Sequence, residues 1–339
     1  MFKNVLFTIA SIIKSVKLQL PHITKKRYTI HMRLLEEAIL STLSYYDIFD
    51  YPLTSVEIWK WLYVDGSGDE LRSLQFHDIQ KELDSNKDLK AKITFKLGFY
   101  FIKGRQAIVA TRMSRYLLAE KKFHKAKRII RILRFVPYIK MIGICNTLAY
   151  NNSRSKADID LFIITRRGRI WQSRFFVAGF LKIFGLRPSG TNTQDTLCAS
   201  FFIDEDHLDL ESLAIKDDIY LPYWITQVVP VYDEGCYQQF MEANSWIKIH
   251  LPNVLTISPT SRRRIKKVST VKYFLKSLTY LIPDKVFKNY QLKVMPDVLR
   301  AMANRDSRVV VRDYMLKFHD TDRRASFLEY WNKRRAEII

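Results

Sequence analysis

Apolar residues recur along the 339-residue chain with two periods, and the period changes with position. Phe2, Val5, Leu6, Ile9, Ile13, Val16 and Leu20 fall three to four apart, as on one stripe of an amphipathic helix that Pro21 ends. Leu34, Leu35, Ala38, Ile39 and Leu43 form a second such face. Tyr51-Pro52-Leu53-Thr54 reads as a turn, with Thr54 placed to cap a helix reaching Leu62, and another helix fits Leu74 to Leu83. The period then drops to two. Ile93, Phe95 and Leu97, followed by Phe99 to Phe101 around Gly98, predict a hairpin. Helical spacing returns over 110–134, where Met113, Tyr116, Leu117, Phe123, Ile130 and Leu133 fall near one stripe. After Pro137 come three strand-like runs, Tyr138 to Cys145, Asp158 to Thr165 and Leu197 to Ile203, with an amphipathic helix carrying Trp171, Arg174 and Lys182 between the last two. The tail predicts helices over 269–282, 284–304 and 322–336, and no segment repeats at a fixed period.

With 47% hydrophobic and 27% charged residues, composition excludes wholesale disorder, and ten glycines and ten prolines exclude collagen-like and low-complexity chains. No uncharged apolar stretch approaches the roughly 20 residues of a membrane-spanning helix. Three well-separated cysteines, Cys145, Cys198 and Cys236, fit a reducing compartment and read as packing residues. With no leader-like segment to be read, the expected location is the cytoplasm.

The formal charge of +22 is unevenly spread and divides the chain into five parts. An N-terminal helix and linker, 1–33, carries seven bases and no acid; 34–104 is net −4; a connecting helix, 105–140, is +10; 141–257 is −3; and 258–339 is +12. Such an excess points to a polyanionic partner. The first helix has two readings, docking onto its own protein or, through residues 1–20, lying on an anionic membrane surface. Three helices and a hairpin over 34–104 look like a winged helix, but an acidic block repels phosphates and favours a scaffolding role over DNA binding. In the tail, Tyr273, Phe274, Tyr280, Phe287 and Tyr290 interleave with bases, either as an RNA- or DNA-contacting surface or as the core of a helical bundle.

Chemistry concentrates in one stretch. Alternate residues of a strand share a face, so Asp158 and Asp160 project together while Ile159 and Leu161 point away. Two neighbouring carboxylates repel unless a cation lies between them, and Mg²⁺ takes oxygen ligands and is often shared with substrate phosphates. Upstream lie an apolar strand, Asn146-Thr147, and a polar loop containing Ser155 and Lys156. Without a metal, the same acids are ordinary turn or strand-edge residues. Zinc spacings, P-loops and Rossmann fingerprints are absent. His319, between Phe318 and Asp320, reads as a hydrogen-bonded structural histidine.

The stretch Ile142 to Thr165, an apolar strand followed by a short helix, a loop and an Asp-x-Asp strand, resembles the nucleotidyltransferases of the DNA polymerase β superfamily. Tyr51-Pro52-Leu53-Thr54, the Trp171/Arg174 helix and Met315 to Asp320 are similar to a microbial group of such proteins that carry an N-terminal winged helix and a basic C-terminal helical region. The resemblance implies an α+β fold, with a winged-helix module, a mixed sheet with flanking helices and a C-terminal helical region. It also implies transfer of an NMP from an NTP to a hydroxyl acceptor, with Mg²⁺ or Mn²⁺ on Asp158 and Asp160. Asn146, Thr147, Ser155, Lys156, Arg174 and Lys182 would then hold the nucleotide, and two metals would stabilise the attacking and leaving oxygens. Two departures stand out: Asn146-Thr147 replaces Gly-Ser, and the strand Leu197 to Ile203 lacks the third carboxylate. Asp204 at its end is the candidate substitute, and Ser200 is the alternative occupant. The second reading is therefore a catalytically degenerate nucleotide- or nucleic-acid-binding protein on the same fold.

Overall fold

The computed structural model describes residues 33–66, 71, 74–188, 193–255, 262–265 and 270–339; the amphipathic segment 1–20 lies outside them. Helix α1 (33–47) is buried along most of its length, and its hydroxyls bond back to its own carbonyls, Thr42 to Ala38 at 2.7 Å and Ser44 to Leu40 at 2.7 Å. Thr54 caps α2 (Ser55–Lys60) in a reciprocal capping box with Glu57. Helix α3 spans Phe76–Ser85, two residues later than expected because Gln75 and Asp78 form its capping box. A short α4 (Lys87–Lys92) follows, then the hairpin of β1 (Ile93–Lys96) and β2 (Phe99–Ile102). Its two-residue turn places Leu97 and Gly98 at φ +53° and +83°, the left-handed pair that a tight hairpin requires.

Helix α5 (Ala107–Leu133) corrects the expected stripe. Phe123, Ile130 and Leu133 are buried with Ala119 and Ala126, whereas Met113, Tyr116 and Leu117 are exposed. Its first turns are held by charge instead. Arg105 pairs with Asp47 and Asp50, Arg112 with Glu57, and Arg115 with Asp50 at 3.1 Å. Part of the basic surplus of 105–140 is thus neutralised by the acidic block before it.

The centre is a six-stranded mixed sheet: β3 (Ile139–Ile144), β4 (Ile159–Thr165), β5 (Leu197–Asp204), β6 (Val229–Asp233), β7 (Val309–Val311) and β8 (Met315–Phe318), in the order β6-β3-β4-β5-β8-β7. Only β4 and β5 run parallel, and α7 (Ile170–Ile183) connects them. One face packs Ile142, Leu161, Ile163 and Phe202 against α5, α7 and Phe287 of α11 (Asp284–Lys293). The opposite face packs Met141, Phe162, Ile164 and Phe201 against α8 (Tyr220–Gln227), α9 (Cys236–Ala243) and the helices of 33–66. The tail contains α10 (Thr270–Thr279), α11, α12 (Asp297–Met302) and α13 (Arg324–Ile338), but strands β7 and β8 interrupt it and extend the central sheet. Helix α13 returns to α1, where Trp331 Nε1 donates to the Ser41 carbonyl at 2.9 Å. The chain is therefore mixed α/β with helices on both sheet faces. No helix among the described residues is long and apolar enough to cross a membrane.

Candidate nucleotide and cation site

Parity along β4 decides where the acids point. Asp158 and Asp160 share the face of Phe162 and Ile164, so they look toward α8 rather than α5. There a cavity of about 360 Å³ opens between the sheet, α1, α8 and α13, within the usual size of a small-molecule site. Asp158 and Asp160 form part of one wall. Lys317, His319, Arg323 and Arg324 form part of another, and Tyr45, Phe49, Tyr150, Tyr220, Trp224 and Phe327 supply an aromatic lining.

Neither acid takes part in an ion pair among the described residues. Burial raises the Asp160 carboxyl to about 7, the charge of Asp158 adds to the rise, and a hydrogen bond from the Asn146 side chain opposes it. Burial also raises Asp158, against the pull of its own amide and of Lys122. Lys122 is engaged elsewhere, donating to the carbonyls of Ser155 (3.1 Å) and Ala157 and pairing with Asp195 at 3.1 Å.

A register shift brings a third side chain beside the two acids. Asp160 pairs with Cys198 and Phe162 with Phe201, so β5 spends three residues where β4 spends two. Such bulges re-aim side chains next to sites. Here the bulge sets Cys198 beside the acids, and one ligand atom each from Asp158, Asp160 and Cys198 lie within 4.8 Å of one another. Cys198 donates to Ser200 Oγ at 3.3 Å, and Ser200 Oγ meets His319 Nε2 at 2.9 Å. Burial, reinforced by Asp160, pushes the Cys198 thiol up to about 12.

Asn146 explains the first departure from Gly-Ser. It opens α6 (Asn146–Ala149) at φ +57°, a left-handed conformation that glycine adopts freely and asparagine tolerates better than most residues. Its Oδ1 accepts from Trp224 Nε1 at 2.8 Å and from Tyr220 Oη at 3.2 Å, which turns its amide toward Asp160. The side chain thus braces the carboxylate instead of leaving bare backbone. Thr147 lines the same cavity.

On the basic wall, burial and then Arg324 lower the Lys317 ammonium to about 8, and burial with Lys317 lowers His319 to about 4. Arg324 is tied to Asp218 at 3.0 Å and Asp322 at 2.6 Å. Arg323 stands exposed at the rim.

Of the residues expected from sequence, the structure brings together Asp158, Asp160, Asn146 and Thr147. Asp204 is a correction. It lies six residues beyond Cys198, roughly 20 Å along the strand, and bonds His207 Nδ1 at 2.7 Å. Ser155 and Lys156 occupy an exposed turn and contribute backbone carbonyls to Lys122 and Thr193. Arg174 is turned into the interface with α11, bonded to Gln291 Oε1 at 2.5 Å and lying over Phe318. Lys182 is exposed near the far end of α7, outside the cavity lining.

Sequence reasoning missed Cys198, Lys317, Arg324 and the aromatic wall; His319, expected to be hydrogen-bonded, does bond to Ser200. Met315 to Asp320 was noted as a motif, yet nothing in it disclosed a strand beside β5. No protein-family model, curated protein or solved structure matches this chain.

Proposed function

We propose that the chain is a divalent-cation-dependent nucleotidyltransferase of the DNA polymerase β type, moving an NMP from an NTP to a hydroxyl acceptor. One observation carries this: two carboxylates without an ion-pair partner among the described residues share one cavity with a basic wall and an aromatic wall. The donor set fits a cation, because burial and mutual repulsion destabilise both charges and a divalent ion would offset both. Asp158 and Asp160 would hold Mg²⁺ or Mn²⁺, which supplies charge neutralisation for the triphosphate during in-line displacement.

The remaining roles fall to the chain itself. Tyr220, Trp224 and Phe327 offer stacking faces for a base, and Lys317 and Arg323 meet the negative charge of the polyphosphate. The acceptor oxygen bonds to the α-phosphorus, the α–β bridging bond breaks, and pyrophosphate leaves. The hydroxyl proton passes to a carboxylate of the pair. The 34–104 block acts as a winged-helix brace, because α1 and the turn after it contribute Tyr45 and Phe49 to the cavity wall. The test is incubation with each α-labelled NTP, Mg²⁺ or Mn²⁺ and a cell extract as acceptor pool. Label transferred by wild type and not by Asp158→Asn/Asp160→Asn is the expected result; equal transfer by both proteins refutes the assignment.

A second reading is favoured by one observation. Cys198 stands where the third carboxylate would be needed, and it suits a nucleotide-binding protein without transfer. Metal-dependent NTP binding with no label transferred would select it. For the basic segments, exposure of Tyr273, Phe274, Tyr280 and Tyr290, with Phe287 alone buried, supports an RNA or DNA contact over a bundle core. Affinity for mixed oligonucleotides should then fall by roughly 0.7–0.9 log units per log unit of salt for each phosphate contacted.

A further inference from the structure

We propose that Cys198 is a direct ligand of the bound cation, so that the site prefers a borderline ion such as Co²⁺ or Zn²⁺ over Mg²⁺; this rests on the two-carboxylate site proposed above. The argument is one of donor type and aim. A hard ion such as Mg²⁺ demands oxygen ligands, whereas sulfur together with oxygen selects softer ions. Two carboxylates and one thiol within 4.8 Å of one another form a mixed set that a single ion can span. The aim is built in, since the extra residue of β5 between Cys198 and Phe201 sets the thiol against Asp160.

The outer layer is in place as well. Ser200 Oγ holds the thiol at 3.3 Å and is itself held by His319 at 2.9 Å. Such outer contacts orient metal ligands. On binding, the S–H bond breaks, its proton goes to solvent, and a metal–sulfur bond forms. Cys145 and Cys236 lie outside the cluster and serve as internal controls.

The experiment is Co²⁺ titration of the reduced full-length protein, followed by near-ultraviolet absorption and by calorimetry. Wild type should show a sulfur-to-cobalt charge-transfer band and bind Co²⁺ more tightly than Mg²⁺. Cys198→Ser should lose the band and at least roughly tenfold in Co²⁺ affinity, a loss that even outer-layer changes produce. Cys145→Ser and Cys236→Ser should keep the band, and Cys198→Asp should move the preference toward Mg²⁺. Thermal melting of each variant confirms that it is folded. Co²⁺ bound without the band, with equal affinity in Cys198→Ser and loss in Asp158→Asn/Asp160→Asn, overturns the ligand assignment and leaves the carboxylate site standing. No divalent binding by wild type overturns both.

Discussion

The two ends of the β4–β5 pair treat their acids in opposite ways. At the far end Asp204 meets His207 at 2.7 Å, Glu205 meets Lys140 at 3.2 Å, and nearby Glu234 meets Lys272 at 2.7 Å. Burial alone would raise Glu234, but bonds from Lys272 and Tyr232 hold it below the usual range. At the near end Asp158 and Asp160 have each other, and both are raised. The same sheet thus carries acids paired with bases and two acids that no base meets among the described residues. Perturbation by burial plus a like charge in a cleft is the pattern of a site; perturbation by a bonded partner is the pattern of a brace.

The largest effect expected from breaking this contrast is on function. Asp158→Asn/Asp160→Asn should abolish Mn²⁺ binding while the melting temperature at pH 8 holds or rises, because a repulsion has been removed. Next in size, Glu234→Gln should destabilise the fold by about 2 kcal/mol in urea, since Lys272 keeps its buried ammonium beside Ile139, Tyr232 and an uncharged amide. A smaller, pH-dependent effect follows from the raised acid. A carboxyl raised to about 7 favours the fold while protonated, and that contribution is lost as pH rises through 7. Cation affinity should therefore climb most steeply with pH below 7, where Asp160 and Cys198 both release a proton on binding, and go on rising by up to about tenfold per pH unit above it, where Cys198 alone does, which calorimetry at several pH values would show. His319 has the opposite sign. Lowered to about 4, it costs stability as pH falls from about 6.5 toward 4, and His319→Gln should flatten that limb of the acid melting curve. The smallest effect belongs to Asp204→Asn, which should leave cation affinity within about twofold, half a kcal/mol.

Local chemistry made parts of this molecule readable from its sequence. Thr54 announced a capped helix, the alternation around Gly98 a hairpin, and the alternation around Asp158 and Asp160 a shared face. Each depends on neighbours within a few positions. Pairings distant in sequence were hidden. Cys198 reaches the acids only because β5 gains a residue against β4, and a bulge leaves no signature in a single strand's composition. Val309–Val311 and Met315–Phe318 are too short to show a period, and their partner lies more than a hundred residues upstream. Met113, Tyr116 and Leu117 kept helical spacing yet remain exposed, since ion pairs rather than burial hold that part of α5.

The cavity's walls come from distant stretches of chain: Tyr45 in α1 and Phe49 just after it, the acids at the start of β4, Trp224 in α8 and Phe327 in α13. Trp331 bonds to Ser41 across 290 positions, and Arg334 reaches Asp47 at 2.8 Å. During synthesis, at roughly 5–20 residues per second, α1 therefore waits many seconds for the helix that closes over it. A chain still lacking Phe327 presents Phe49 and Tyr220 to solvent with their stacking partner absent. Closure of the cavity is thus deferred until Phe327 has been made, long after Tyr45 and Phe49.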